Sequence, residues 1–579
     1  MSTFGSPPPP PDYPPVAPPP LSPPSWEVDG ATASEPVEGH SRVFRAVAGS
    51  GIAILVAGGV AAAVLAFGFI RGSADSMVTF APSDTAAYVN LDLAPSAGQQ
   101  LALNNILGRF PALGGSSRDA TINHWLDSGL QSSGLTHADV RTWLGSQLSL
   151  IVLKGADTAI PAEVSLLAST DDAAAQAMFA KYKSGPSGQP LHWTVATYDG
   201  VTINVGEDSA GGTQAWAVTA HTVIVGTSEA AVDEVVDTSQ GKHASLTSQA
   251  DYTAVQARVP SDRVAFLYVD IPALSALIPS TAVAGASTSL RGYQGVGEAV
   301  VASSSGISVS GTIDFDASKL SASARASLGI APHSNGALAY VPGGAFGFVA
   351  FVGLPQMLHN LVTLAIPGLG TSGSQALDQL GITGPAGVIS HLTGDAGIEV
   401  EQLPAAKVPS GALLIATDSS GAVQSFLDQL ATRLCSAGQA CGSATPTQQT
   451  YQGVTISAIT ISGADTSELS PAWAVDNGWV ILASTPAEVR AVIDARRGSN
   501  IATSPQYRAV AGQVGTSNDG MFYVNVQRLV TAVRAVLPAD ARATFDQQVA
   551  PYLTPIQAIG TSVRSFGDHI ATSEFVLIR

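Results

Sequence analysis

The side chains able to do chemistry are few and scattered. Residues 368–373 read GLGTSG and match the GxGxxG spacing, in which glycines let a backbone approach a pyrophosphate. That use needs a strand before the glycines and a helix after them. Pro367 stands directly ahead, so the stretch reads as a loop. Three acidic pairs, Asp171/Asp172, Asp233/Glu234 and Asp314/Asp316, carry the carboxylates that calcium ligation or glycoside hydrolysis would use. The first two pairs fall at helix starts or on helix faces, where a carboxylate meets the dipole or water. Asp314 and Asp316 alternate along a strand and so share one face, expected to be solvated.

Ten histidines, His40, His124, His137, His192, His221, His243, His333, His359, His391 and His569, never fall three to five apart, so no metal pair of the HExxH kind exists. There is no GxSxG elbow and no P-loop. The two cysteines, Cys435 and Cys441, bracket CSAGQAC. Two thiols without nearby histidine are too few for a structural zinc. Outside a membrane they read as a local disulfide, worth roughly 2 kcal/mol through loop-closure entropy. The residues name no cofactor, no metal and no catalytic set, and they point away from an enzyme.

The elements that would position such residues begin with an anchor. Residues 46–70 (AVAGSGIAILVAGGVAAAVLAFGFI) hold no charge and lie between Arg45 and Arg71. About 25 residues at ~1.5 Å each exceed the ~30 Å hydrocarbon core of a bilayer, which predicts one transmembrane helix. The run is longer than a signal-peptide core and starts far from the amino terminus. Arg42 and Arg45 precede it and Arg71 follows, which places the amino terminus inside the cell. Small residues at Ala53, Ala57 and Ala61, and at Gly58, Ala62 and Ala66, offer a face for a homodimer through this helix. Residues 1–45 are dominated by proline, which donates no backbone hydrogen bond and holds an extended chain. They read as a disordered cytoplasmic spacer, or as a ligand for an aromatic groove.

The rest of the chain is acidic: the net charge is −18, and only Arg42, Arg45 and Arg71 among the basic residues lie at or before the end of the apolar run. Such a surface repels phosphate backbones, which excludes nucleic acid as a partner. It holds an internal repeat of about 250 residues. FAPSDTAAYVNL (80–91) meets IAPHSNGALAYV (330–341), and LLASTD (166–171) meets LLIATD (413–418). YDGVTI (198–203) meets YQGVTI (451–456), AWAV (215–218) meets AWAV (472–475), and AFLYVDI (265–271) meets MFYVNV (521–526).

Each copy mixes strands with helices. Residues 146–154, 162–169 and 307–315 read as strands, the last with clear period-two alternation. Residues 171–183 read as a helix capped by Thr170 or Asp171. Asp199-Gly200 and Gln452-Gly453 predict tight hairpins, and residues 219–222 a turn between two more strands. Thr485-Pro-Ala-Glu488 reads as a capping box that opens a helix with Val489, Val492 and Ile493 on one face. Short turns between strands imply antiparallel sheet. The fold class is therefore α+β, as tandem duplicated domains of mainly antiparallel sheet with packed helices, at 77–317 and 328–579.

The opening P-S-D-T-A-A-Y-V at residues 82–89 and the strand–helix series after it resemble the DUF3352 type of uncharacterised bacterial extracytoplasmic protein. The resemblance covers roughly residues 77–579; the second opening departs, with Ser334-Asn335 in place of Asp-Thr. It implies membrane anchoring and a bacterial, actinobacterial, source. It implies no activity and transfers no catalytic residue. What the copies share is tyrosines, tryptophans, turn glycines and caps, which is packing chemistry. The expected function is a single-pass, non-enzymatic binding or scaffold module of the cell envelope, meeting an envelope protein, wall or lipid partner. The alternatives are a carrier of a lipid or other hydrophobic ligand, with 274–278 and 346–366 lining its cavity, and an exported hydrolase.

Overall fold

The computed structural model describes residues 75–110, 123, 126–127, 130, 133–153, 161–277, 290–329, 332–354, 381–383, 387–404, 406, 408–436, 446–459 and 470–579. The tail at 1–45, the apolar run 46–70, the glycine stretch 368–373 and most of 346–366 lie outside these residues. Among the described residues no helix is long and apolar enough to cross a membrane.

Apolar, β-branched segments separated by turn residues form the first ten strands: β1 (Ala87–Asp92), β2 (Leu144–Leu153), β3 (Ala162–Ser169), β4 (His192–Tyr198), β5 (Val201–Glu207), β6 (Thr213–Thr219), β7 (Thr222–Gly226), β8 (Ala265–Asp270), β9 (Tyr293–Ser303) and β10 (Gly306–Phe315). The second ten are β11 (Gly347–Phe351), β12 (Leu392–Glu401), β13 (Ser410–Thr417), β14 (Thr447–Tyr451), β15 (Val454–Ala458), β16 (Ala472–Asp476), β17 (Trp479–Ala483), β18 (Gly520–Asn525), β19 (Ile556–Ser565) and β20 (His569–Ile578).

They make one antiparallel sheet, in the order β4-β5-β6-β7-β3-β2-β1-β8-β9-β10-β20-β19-β18-β11-β12-β13-β17-β16-β15-β14. The order reads the same from either end. Ser310 of β10 lies directly opposite Ser573 of β20, its own counterpart, so a local twofold passes between them. The strands β1–β10 and β11–β20 are thus two halves of the sheet, joined by a continuous β10:β20 ladder.

The hairpins follow from their turn residues. Asp199 and Gly200 have φ of 47° and 80°, and Gln452 and Gly453 have 49° and 87°. Ala220 and His221 likewise turn with φ of 47° and 57°. Positive φ at both central residues gives the twist that two antiparallel strands require.

Helices cover both sheet faces. They are α1 (Ala97–Leu107), α2 (Asp172–Ser184), α3 (Glu229–Ser239), α4 (Ala250–Arg258), α5 (Ser420–Ser436), α6 (Pro486–Asp494) and α7 (Pro505–Val514); α8 (Val526–Val536) follows β18. The first face carries α3 and α4 in the first half, and α6 and α7 in the second; the other carries α1, α2 and α5. Val232, Val235 and Val236 of α3 pack with Val164, Leu166 and Ile224. Val489, Val492 and Ile493 of α6 pack with Leu414 and Ile481 in the same way. On the opposite face Met178 and Phe179 of α2 meet Trp216 and Val223.

One close approach recurs. A Cβ on Gly297 would lie 1.9 Å from Val255 Cγ1 of α4, and one on Gly560 2.3 Å from Val510 Cγ1 of α7. The two sites are equivalent, and each glycine lets a helix valine sit against the sheet. Gly560→Ala is expected to destabilise the chain by about 1–3 kcal/mol, the usual cost of overpacking. Adding Val510→Ala should return part of that loss in a denaturant titration. Equal losses in the single and double variants would mean that the contact is not the cause.

The pairings revise the repeat in two places. Pro82 bridges Ser245, and Pro342 bridges Asn500. The counterpart of 80–91 is therefore 340–351 (YVPGGAFGFVAF), ten residues beyond the expected match. A shared Ala-Pro dipeptide at 331–332 produced the false register. Leu166 faces Ile224, and its counterpart Leu414 faces Ile481. The 166–171 match thus shifts by one, because only that register keeps both leucines in the core. Asp171 caps α2 by accepting from Ala174 N at 3.0 Å, but its counterpart is Ser419, not an aspartate.

Candidate functional site

Each half carries a buried polar network that the other half lacks. In the first, Tyr88 and Asn90 project from β1 and Ser149 from the adjacent β2, on one face. Tyr88 donates its hydroxyl to Asp75 Oδ1 at 2.7 Å, and Asn90 Nδ2 donates to the same oxygen at 3.1 Å and to Ser149 Oγ at 2.9 Å. Gln147 Oε1 accepts from the Ser76 amide at 3.0 Å and so holds the entering chain in place. Burial raises the Asp75 pKa, against the lowering pull of Tyr88's hydroxyl. Arg263 lies with its guanidinium 3.9 Å from the centre of the Phe266 ring, and burial lowers its pKa. In the second half Phe348, Ala350 and Gly397 stand where Tyr88, Asn90 and Ser149 do, and the network is absent.

Asp75, Asn90 and Arg263 open onto a cleft of about 710 Å³, completed by Asp92, Ser96 and residues of the α4–β8 region. Its volume is within the ~300–1,000 Å³ range of small-molecule sites. Asp262 Oδ2 accepts from Ser96 Oγ at 3.1 Å across the rim.

The second half has its own cluster at the sheet–helix layer. Glu399 and Glu401 lie two apart on β12 and so share a face; Glu488 descends on them from α6. Glu399 and Glu488 are 0% exposed. The same positions in the first half hold Ile151, Leu153 and Ala231, an ordinary core. Among the described residues the carboxyl oxygens of Glu399 and Glu488 have no hydrogen-bond donor. The carboxyls of Glu399 and Glu401 both interact with that of Glu488, and the charge of Glu401 is attracted to Arg528. Burial raises the pKa of all three, that of Glu399 well above the usual range and that of Glu488 to about 7. Arg528, on α8, is held by the carbonyls of Gly343 and of Ala345, the latter at 3.2 Å.

This corrects the capping box. Thr485 Oγ1 accepts from Glu488 N at 3.1 Å, but the Glu488 carboxyl turns inward instead of returning to the Thr485 amide. The other expectations divide. Asp314 is buried and paired with Arg258, not solvated, because α4 lays its last turn over that end of β10. Asp316 lies just beyond β10 and bonds Ser318 and Lys319, which holds it down to about 2. Asp172 is 3.3 Å from His221. Burial raises Asp233 and Glu234. Among the described residues no group of histidine, cysteine and carboxylate side chains is arranged to hold a metal. Cys435 lies in the last turn of α5, whereas Cys441 lies outside the described residues.

Sequence reading missed both networks. The available signal was GIEVE at 397–401, two glutamates on one face of an otherwise apolar strand. Asp75, Tyr88, Asn90 and Ser149 gave none, since hydroxyls and amides at those spacings are common.

Comparison with known proteins adds a family. No curated protein matches the chain. Among solved structures, crystal form III of TP0453 is 12% identical, with 42% of this chain and 79% of that chain covered at a TM-score of 0.22. Crystal form IV is 10% identical, covering 42% and 81% at 0.23, and crystal form I is 10% identical, covering 73% and 98% at 0.15. At TM-scores this low the likeness carries no argument. A family match covers residues 47–577, and the chain accordingly belongs to the family described as "Protein of unknown function (DUF3352)".

Proposed function

We propose that the protein is a single-pass, membrane-anchored binding or scaffold module of a bacterial cell envelope, without catalytic activity. The tail at 1–45 lies inside, 46–70 crosses, and the sheet-bearing body stands outside and meets an envelope protein, wall or lipid partner. Pairing of anchor helices through the small-residue face would make it a homodimer, and export would oxidise Cys435 and Cys441. The observation that carries the binding reading is the cleft at Asp75, Asn90 and Arg263, built where the chain enters the fold. Crosslinking and pulldown from native membranes, with tail and body deleted separately, test it. Partner recovery that survives loss of the body but not of the tail would sink it.

A second reading, a carrier of a lipid or other hydrophobic ligand, draws on a row across three strands. Val349 pairs with both Ile398 and Phe522, and the three are 38%, 46% and 39% exposed. Their first-half counterparts are Val89, Leu150 and Leu267; Val89 packs with residues of α1, and Leu267 is buried.

A further inference from the structure

Nine of the ten residues that line the cleft of the first half have polar side chains, and six of these are of one geometric kind. Asp75, Asn90, Asp92, Gln256, Asp262 and Arg263 line it with carboxylates, amides and a guanidinium. Each is a planar group with two hydrogen-bonding atoms side by side, able to engage two neighbouring hydroxyls at once. Ser96, Thr253 and Ser261 add hydroxyls, and Ala257 is the one apolar side chain in the lining.

Charge narrows the class further. Three aspartates face one arginine, so a phosphate or carboxylate ligand meets net repulsion. Arg263 makes no ion pair among the described residues and bonds only the Pro260 carbonyl, at 3.4 Å. Its remaining N–H groups are left for a guest. The ring stacking on Phe266 fixes the guanidinium in advance, which reduces the ordering cost of binding. Tyr252 is 1% exposed, its hydroxyl has no hydrogen-bond partner among the described residues, and the charges of both Asp75 and Arg263 act on it. The Asp75–Tyr88–Asn90 bonds hold the inner wall rigid.

We propose that this cleft binds a neutral, hydroxyl-rich ligand, a glycan segment, through Asp75, Asn90, Asp262 and Arg263. The proposal rests on the outward-binding reading and names its ligand class. It excludes acidic sugars and anionic lipid heads as preferred guests.

The test is calorimetric titration of the purified full-length chain in detergent. The probes are cellotetraose, maltotetraose, mannotetraose and chitotetraose, with an isolated neutral wall polysaccharide as a separate arm. Tetragalacturonic acid and phosphatidylglycerol vesicles are the rivals. At least one neutral probe should bind. Arg263→Met, which keeps packing on Phe266, should weaken it roughly tenfold or more, the effect of losing a charge-assisted bond. Asp262→Asn, on the exposed rim, should weaken it roughly threefold and serves if Arg263→Met does not fold. Binding by the polymer alone would identify the wall as the source. Cleavage of a probe would support the ligand class while removing the non-enzymatic reading. No binding by any neutral probe, a preference for the acidic probe or the vesicles, or affinity unchanged in both variants would overturn the proposal. A cysteine-accessibility test placing the body inside the cell would remove the envelope reading yet leave this binding result standing.

Discussion

The folded chain is expected to be more stable at pH 5 than at pH 7.5, the reverse of the usual acid sensitivity. Glu488 and Glu298 both have pKa values raised by burial to about 7, with Glu574's charge adding to the rise of Glu298. Glu399, Glu401 and Glu574 are raised as well, each chiefly by burial. A carboxyl whose folded pKa is raised holds its proton in the folded state after the unfolded chain has released it. Its favourable contribution is complete below the unfolded value near 4.5 and is lost as pH climbs through about 7. A rise of that size in one group corresponds to a loss on the order of 3 kcal/mol. Denaturant titrations at several pH values should show the midpoint falling across this window. Glu488→Gln and Glu298→Gln should each flatten the slope, since an amide keeps the shape and never ionises. Parallel pH curves for wild type and both variants would refute the assignment.

The glutamate cluster also offers a direct comparison inside one molecule. The first half fills the same three positions with Ile151, Leu153 and Ala231, which need no proton. Transplanting those residues, as Glu399→Ile, Glu401→Leu and Glu488→Ala together, should remove most of the second half's pH dependence. Buried charged groups replaced by well-packed apolar ones often leave stability equal or higher by about 1–4 kcal/mol. Keeping three carboxyls under a helix therefore costs stability at neutral pH.

Arg258→Ala is expected to destabilise the chain by about 3 kcal/mol and to loosen the junction of the halves. Arg258, at the end of α4, pairs through Nη1 with Asp314 of β10 and through Nη2 with Asp568 at 2.6 Å, in the turn before β20. One guanidinium thereby joins a first-half helix, the last first-half strand and a second-half turn. Asp314's side chain is only 7% exposed, so removing the arginine leaves a buried carboxylate without its counter-charge. The Asp568 arm is exposed and adds little. Hydrogen exchange should quicken at β10 and β20 before the outer strands. Arg258→Ala combined with Asp314→Ala should recover more than half of the loss. If the double variant is as unstable as the single one, the cost lies in packing by the arginine stem rather than in the stranded charge.

Local order and pairwise chemistry were legible in the chain itself. Hairpins at Asp199-Gly200 and Gln452-Gly453, the Asp171 cap, the apolar faces of α3 and α6, and the α+β class follow from residue type and period, because each is decided within a few neighbours. So was the existence of a duplication. The join of its halves was not, since β10:β20 pairing depends on strands 263 residues apart at Ser310 and Ser573, and no local signal specifies that edge. The register at 340–351 was likewise misread, because the Ala-Pro at 331–332 matches Ala81-Pro82 better than the true counterpart Val341-Pro342 does, until strand pairing chooses between them. The buried networks lay furthest from view. Glu488 satisfies every local rule of a capping box, yet its carboxyl is drawn toward Glu399 and Glu401, which only the folding of β12 under α6 brings within reach. Sequence alone determined which segments form strands and helices; the tertiary structure decided which polar side chains leave water, because burial is a property of the assembled layers and not of the residue.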